Sequence, residues 1–144
     1  MNLKISEDCS EQERNYIKSK LIEYNLKNVP SEQNVLFEPL QLLLRDENGN
    51  VIGGLLGEIA YWRRLNINIF WIDENFRKFG LGKKLLRQAE QIALEKGCRI
   101  ILLDTFSFQA PDFYIKNGYE IYATLEDCPE GFKKYFLKKI LDNN

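Results

Sequence analysis

The chain has 144 residues, of which 44% are hydrophobic, 12% aromatic and 28% charged, a balance that suits one domain with a sizeable core and excludes wholesale disorder. Twenty Lys and Arg against 21 Asp and Glu give a formal charge of -1, without the basic excess of a dedicated nucleic-acid binder. There is no histidine, which excludes Ser-His-Asp and Cys-His catalysis and nearly every zinc enzyme site.

Catalysis would therefore rest on carboxylates, tyrosine, backbone amides or a cofactor. Cys9, Cys98 and Cys128 are far apart and form no CxxC, as expected of a reduced intracellular protein without a metal site. Residues 1–8 lack the apolar core of a signal peptide, and no apolar run approaches the roughly 20 residues that span a bilayer. A cytoplasmic protein with no membrane partner and a single domain over 1–144 is expected.

Ser10 and Glu13 form a capping box that opens the first helix, where Ile17, Leu21, Ile22 and Leu26 recur at helical spacing to about Lys27. Pro30 and Pro39 bracket a less regular stretch. Leu40 to Arg45 reads as a strand, Asn48-Gly49 as a hairpin turn, and Val51 to Trp62 as the return strand. Gly53, Gly54 and Gly57 in that strand predict a bulge or close backbone approach. Leu65 to Ile72 is a third strand, with Leu65, Ile67 and Ile69 alternating with Asn66 and Asn68.

A loop over 73–82 runs into an amphipathic helix. Leu81, Leu85, Leu86, Ala89, Ile92 and Ala93 share one face, charges lie opposite, and Lys96-Gly97 is the stop. Arg99 to Leu103 is a continuous apolar run that suits a parallel strand covered on both faces. The span 65–104 is thus a strand-loop-helix-strand unit. A helix over about 109–117 ends at Gly118, and two strands near Tyr119–Leu125 and Phe132–Ile140 close the chain.

Arg77-Lys78-Phe79-Gly80-Leu81-Gly82 lies where a strand feeds a helix. A first helical turn carries unpaired amides and a partial positive charge, glycines let the backbone curl around an anion, and Arg77, Lys78 and Lys83 add formal charge. This favours a phosphate or pyrophosphate, although the same glycines would also serve a ligand-free tight turn. A nucleoside-triphosphate loop fails, because Arg77 replaces its first glycine and Lys84 its Ser or Thr. The dinucleotide pattern fails where Leu85 replaces its third glycine.

Arg77-x-x-Gly80-x-Gly82 resembles the Q/R-x-x-G-x-G/A signature of the GNAT superfamily of N-acetyltransferases. Phe70-Trp71-Ile72 before it resembles the family's fourth strand, and Gly97-Cys98-Arg99 with Ile100–Leu103 its fifth. Phe113-Tyr114-Ile115-Lys116-Asn117-Gly118-Tyr119 resembles its F-Y-x-K-x-G-F/Y segment. The resemblance covers about 40–141. It implies an α/β (α+β) fold: a mixed, mostly antiparallel twisted sheet with a parallel, splayed central strand pair and helices on both faces.

The resemblance also implies acetyl-CoA as co-substrate, bound where those two strands part. Phe70, Trp71 and Ile72 would run along the pantetheine. Arg77, Lys78, Phe79, Gly80, Leu81, Gly82 and Lys83 would form the pyrophosphate loop. Ser107 stands about where relatives place an asparagine that contacts the pantetheine. Tyr114 matches the family's general acid, and its alternative is a core tyrosine.

An alkyl amine is only about one part in 2,500 neutral at pH 7, so a base helps. Relatives often carry a carboxylate in the fourth strand, where this chain has Asn66 and Asn68. Glu58, Asp73 and Asp104 remain as base candidates, or as plain turn and edge carboxylates. Tyr61, Trp62 and Trp71 would line the acceptor side or the core. The expected function is transfer of acetyl from acetyl-CoA to a primary amine, in a ternary complex. A small-molecule acceptor leads over a protein or peptide amine. The alternatives are an acyl-CoA-binding module without turnover and, against the failed loop pattern, a phosphotransferase. No nucleic-acid partner is expected, and the closing strands offer an edge for a homodimer.

Overall fold

The computed structural model describes residues 1–142; Asn143 and Asn144, which the expected domain includes, lie outside the described residues. The chain divides into two compact units, residues 1–32 and residues from Gln33 on. The first unit is built on α1, Glu11–Asn28. Its capping box is formed: Ser10 Oγ accepts from the Glu13 amide at 3.1 Å, and the Glu13 carboxylate accepts from the Ser10 amide at 3.0 Å. That amide bond is the main reason the Glu13 carboxyl lies below its ordinary value.

The second unit is a six-stranded sheet with two helices. Its elements are β1 (Phe37–Arg45), β2 (Val51–Ala60), β3 (Arg64–Ile72), α2 (Leu81–Glu95), β4 (Ile100–Phe106), α3 (Pro111–Lys116), β5 (Glu120–Glu126) and β6 (Lys133–Ile140). The strand order is β1-β2-β3-β4-β6-β5. Among the described residues only β3 and β4 pair in parallel; every other neighbouring pair is antiparallel. This is the mixed sheet with a central parallel pair that the motifs imply.

Two boundaries and one burial pattern depart from the sequence reading for a local reason. β2 ends at Ala60, not Trp62, because Trp62 and Arg63 adopt φ of 66° and 57° and turn the chain. α3 begins at Pro111, a residue suited to a first helical turn because it needs no amide partner there. In β4, Ile101, Leu103 and Thr105 are buried while Asp104 is exposed, so this strand is not covered equally on both faces. It runs parallel to β3 for three residues and antiparallel to β6 along its whole length.

Cross-strand partners share a sheet face. Leu55, Leu65, Ile67, Ile101, Leu103 and Leu137 project to one face and join Leu85, Leu86, Ala89 and Ala93 of α2 in the core. The expected apolar stripe of α2 is therefore its buried side. One charge departs from the pattern: Glu90 is buried as well.

β3 carries the decisive irregularity. Leu56 pairs with Ile69 and Gly57 with Ile67, so Asn68 is an extra residue in the ladder. Such a bulge bends a strand and reverses its alternation. Leu65 and Ile67 point to the core as expected, but Ile69 is 56% exposed, and Phe70 and Ile72 take the inward positions. Gly57 permits the bulge, since a Cβ there would lie 2.7 Å from the Asn66 carbonyl oxygen.

Candidate active site

The parallel pairing of β3 and β4 stops after Asn66↔Leu102. Beyond it the strands part, and the main chain of β3 keeps β2 on one side with no ladder partner on the other among the described residues. A cleft of about 930 Å³ opens there, lined from β3, the 77–83 loop, the end of β4 and α3. An open strand edge beside a groove can pair with an extended ligand as a further strand would.

At one end of the cleft the main chain supplies the chemistry. Asp73 caps the 3₁₀ turn Glu74–Phe76 by accepting from the Asn75 amide at 2.8 Å. Arg77 Nε donates to the Ile72 carbonyl at 2.8 Å and fastens the loop to the end of β3. Gly80 then takes φ 74°, a conformation that suits glycine, and serves as N-cap of α2 without any side-chain cap. The Lys84 amide is the first to bond back into the helix, to the Gly80 carbonyl at 3.1 Å. The amides of Leu81, Gly82 and Lys83 precede it and have no intrahelical acceptor. They open at a helix N-terminus, with Arg77, Lys78 and Lys83 on the same wall. Gly82 is packed close: a Cβ there would meet the Phe113 ring at 3.3 Å.

At the other end the side chains matter. Tyr114 is 8% exposed and wedged edge-on against Phe70, Phe113 and Tyr119, at centroid distances of 6.2, 5.3 and 5.9 Å. Its hydroxyl has no hydrogen-bond partner among the described residues, and it is not sealed off, since Tyr114 lines the cleft. Burial, and secondarily the charge of Asp104, pushes the phenol up to about 12. Asp104 is the one carboxylate among the described residues that line the cleft. It stands 3.7 Å from Lys134 Nζ, and that ammonium also lies over the Phe106 and Phe136 rings.

A cleft between parting parallel strands thus runs from a helix start with uncapped amides and nearby cations to a neutral phenol. The acetyltransferase (GNAT) family profile matches residues 7–119 of this sequence. The chain belongs to the GNAT family. A blasticidin-S acetyltransferase from Streptomyces morookaense is 38% identical over 96 residues, spanning 66% of this chain and 70% of that protein. The 1.9 Å crystal structure of an acetyltransferase from Bacillus cereus ATCC 14579 has TM-score 0.85 and 43% identity, covering 96% of this chain and 98% of that one. An aminoglycoside 6'-N-acetyltransferase solved with coenzyme A shares the fold at TM-score 0.66 and 15% identity, covering 74% and 75% of the two chains.

Most residues singled out in the sequence as site candidates meet at this cleft. Phe70, Trp71, Ile72, Arg77, Lys78, Gly80, Leu81, Gly82, Lys83, Asp104 and Tyr114 all line it. Phe79 does not; it is 73% exposed at the loop tip. Glu58 does not either. It pairs with Pro39 and Asn66, one strand away from the gap and on the face opposite α2. Asp73 is occupied as the turn cap. Ser107 lies outside the lining, because its Oγ accepts from the Lys133 amide at 3.0 Å and closes the β4–β6 ladder.

Gln109 reaches the cleft where Ser107 does not. Its Oε1 accepts from Thr105 Oγ1 at 3.0 Å and from the Phe106 amide at 2.8 Å, which leaves its Nε2 donors available. No motif names this residue. The signal was a carboxamide shortly after a strand end, a position where side chains often satisfy free amides.

Proposed function

We propose that this GNAT protein transfers an acetyl group from acetyl-CoA to a primary amine of a small molecule, by direct attack in a ternary complex. The observation that carries the reading is the pairing of uncapped first-turn amides at Gly80 with an unpartnered, neutral Tyr114 hydroxyl in one cleft. The site suits this co-substrate. The amides of Leu81 to Lys83 with Arg77, Lys78 and Lys83 would hold a diphosphate, and the free edge of β3 would pair with the pantetheine amides. Gln109 Nε2 supplies a donor beside that arm, in place of Ser107.

Acetyl-CoA supplies a thioester carbon that a neutral amine attacks. The new C–N bond replaces the C–S bond, and the sulfur leaves as thiolate. A phenol near 12 holds its proton against a thiol near 8.5, so Tyr114 stabilises the departing sulfur as a hydrogen-bond donor, not as a full proton donor. The lining cations Arg77, Lys78 and Lys83 lie at the diphosphate end, and the one lining carboxylate among the described residues, Asp104, lies at the other, 3.7 Å from Lys134 Nζ. Asp104 is therefore our choice for receiving the amine and relaying its proton, through water, to solvent. The likeness to a blasticidin-S acetyltransferase supports a small acceptor.

The test is calorimetry with coenzyme A, followed by coenzyme-A release over an amine panel and a lysine peptide. Binding with turnover of small amines is expected. Tight binding with no turnover would favour the acyl-CoA-binding module, which the placement of Glu58 outside the cleft supports; turnover of the peptide alone would reassign the acceptor.

A further inference from the structure

Glu90 is a buried carboxylate that the proposed reaction does not use. It lies on α2 at 7% exposure, where an ion is costly unless charged or polar donors satisfy it. Three do. Tyr119 Oη donates to Glu90 Oε2 at 2.8 Å, Lys139 Nζ donates to the same oxygen at 3.1 Å, and Arg87 Nη1 donates to Oε1 at 2.7 Å.

Two of these donors come from beside α3. The Lys139 ammonium also donates to the Asn117 carbonyl at 3.0 Å, just past the end of that helix. Gly118 leaves room for it, since a Cβ there would lie 3.3 Å from Lys139 Cε, and its φ of 95° suits glycine besides. Tyr119 is tied twice to Tyr114: its amide donates to the Tyr114 carbonyl at 3.0 Å, and the two rings meet edge-on. α3 has only six residues, too few to hold its own geometry in isolation.

We propose that Glu90 is a positioning residue: through Tyr119 and Lys139 it clamps the Tyr114 ring to the helix whose first turn forms the anion cradle, and so sets the spacing between the two ends of the cleft. The inference rests on the role proposed above for Tyr114. Tyr119 does not line the cleft, and its hydroxyl is spent on Glu90, so the pair acts through Tyr114 and not on substrate. It also gives the Gly-Tyr end of the F-Y-x-K-x-G-Y segment a physical task. The glycine admits Lys139 and the tyrosine carries the link.

The test is a double-mutant cycle on the full chain, with acetyl-CoA and an amine that the wild type turns over. Glu90→Gln should lower kcat about tenfold and leave the KM for acetyl-CoA within about twofold, the split expected when geometry at the reacting end alone is disturbed. In a Tyr114→Phe background the same substitution should cost less than about twofold, because the partner it positions is already gone. Equal losses in both backgrounds, or no loss in either, would overturn the positioning role. A Tyr114→Phe variant at full turnover would instead sink the donor role on which it rests.

A second measurement needs no catalysis. In protein carrying [13Cζ]-tyrosine, Glu90→Gln should move the Tyr119 and Tyr114 signals and leave that of Tyr61, which packs on Phe37, in place. A fixed Tyr114 signal would overturn the clamp even if Glu90→Gln were slow.

Discussion

The two ends of the cleft are built by different means. At the start of α2 the groups proposed to work are main-chain amides, set by the left-handed turn at Gly80 and by the Arg77 bond to the Ile72 carbonyl. At α3 the group proposed to work is one side chain, set by three aromatic neighbours and the hydrogen-bonded link from Tyr119 back to Glu90. A site made of backbone survives most side-chain changes and fails when the backbone is strained. A site made of one hydroxyl fails when that hydroxyl is lost and survives much else. Affinity for the co-substrate and rate of transfer should therefore separate by mutation.

Tyr114→Phe should separate them most. It removes the only hydroxyl proposed at the leaving sulfur and keeps the ring that packs on Phe70 and Phe113. We expect kcat to fall about a hundredfold, the usual loss of one preorganised donor, while calorimetric affinity for coenzyme A stays within about twofold. A large loss of affinity with unchanged kcat would invert the comparison.

Gly80→Val should do the reverse with a smaller effect. A β-branched residue at φ 74° costs on the order of 1–2 kcal/mol, and relief of that strain would turn the first amides of α2 away from a common point. Affinity for coenzyme A should drop about fivefold to thirtyfold, measured by the same calorimetry. Gly80→Ala should lose less, and an unchanged affinity for both variants would mean that the loop does not hold the diphosphate.

The same contrast governs how much of the molecule could be read from its sequence. The geometry of the proposed cradle was legible because its causes are local: glycines beside cations at the switch from a strand to an apolar helical stripe. The core stripe of α2 and the capping box of α1 were legible for the same reason. The acceptor side was not. Ile69 reads as a core residue in phase with Leu65 and Ile67, and only its pairing with β2 reveals the extra residue at Asn68 that turns it outward. Ser107 reads as a free hydroxyl until β6 brings the Lys133 amide to it. Glu58 and Asp104 look alike as strand carboxylates, yet only one of them borders the gap where β3 leaves β4. Glu90 reads as a solvated helix charge, because its partners Tyr119 and Lys139 are distant in sequence.

The smallest expected effect concerns the pH dependence at the Tyr114 end. The reaction needs a neutral amine and a protonated phenol. With an acceptor whose amine titrates near 8, kcat/KM should rise as pH passes about 8 and then level off. Because the phenol is raised to about 12, its active, protonated form persists well past the range where an ordinary tyrosine ionises. The plateau should extend from about pH 9 to about pH 11, whereas a phenol at the ordinary value near 10 would already have halved the rate at pH 10. Asp104→Asn removes the lesser of the two causes and leaves burial, the greater, in place. The alkaline fall should then begin at slightly lower pH, without returning to 10. A fall centred at pH 10 in the wild type would mean that water reaches the Tyr114 hydroxyl freely, and the contrast between a wetted cradle and a sheltered donor would be lost. A return to 10 in Asp104→Asn would shift the weight from burial to charge and make Asp104, not the aromatic wall of Phe70 and Phe113, the group that keeps Tyr114 protonated.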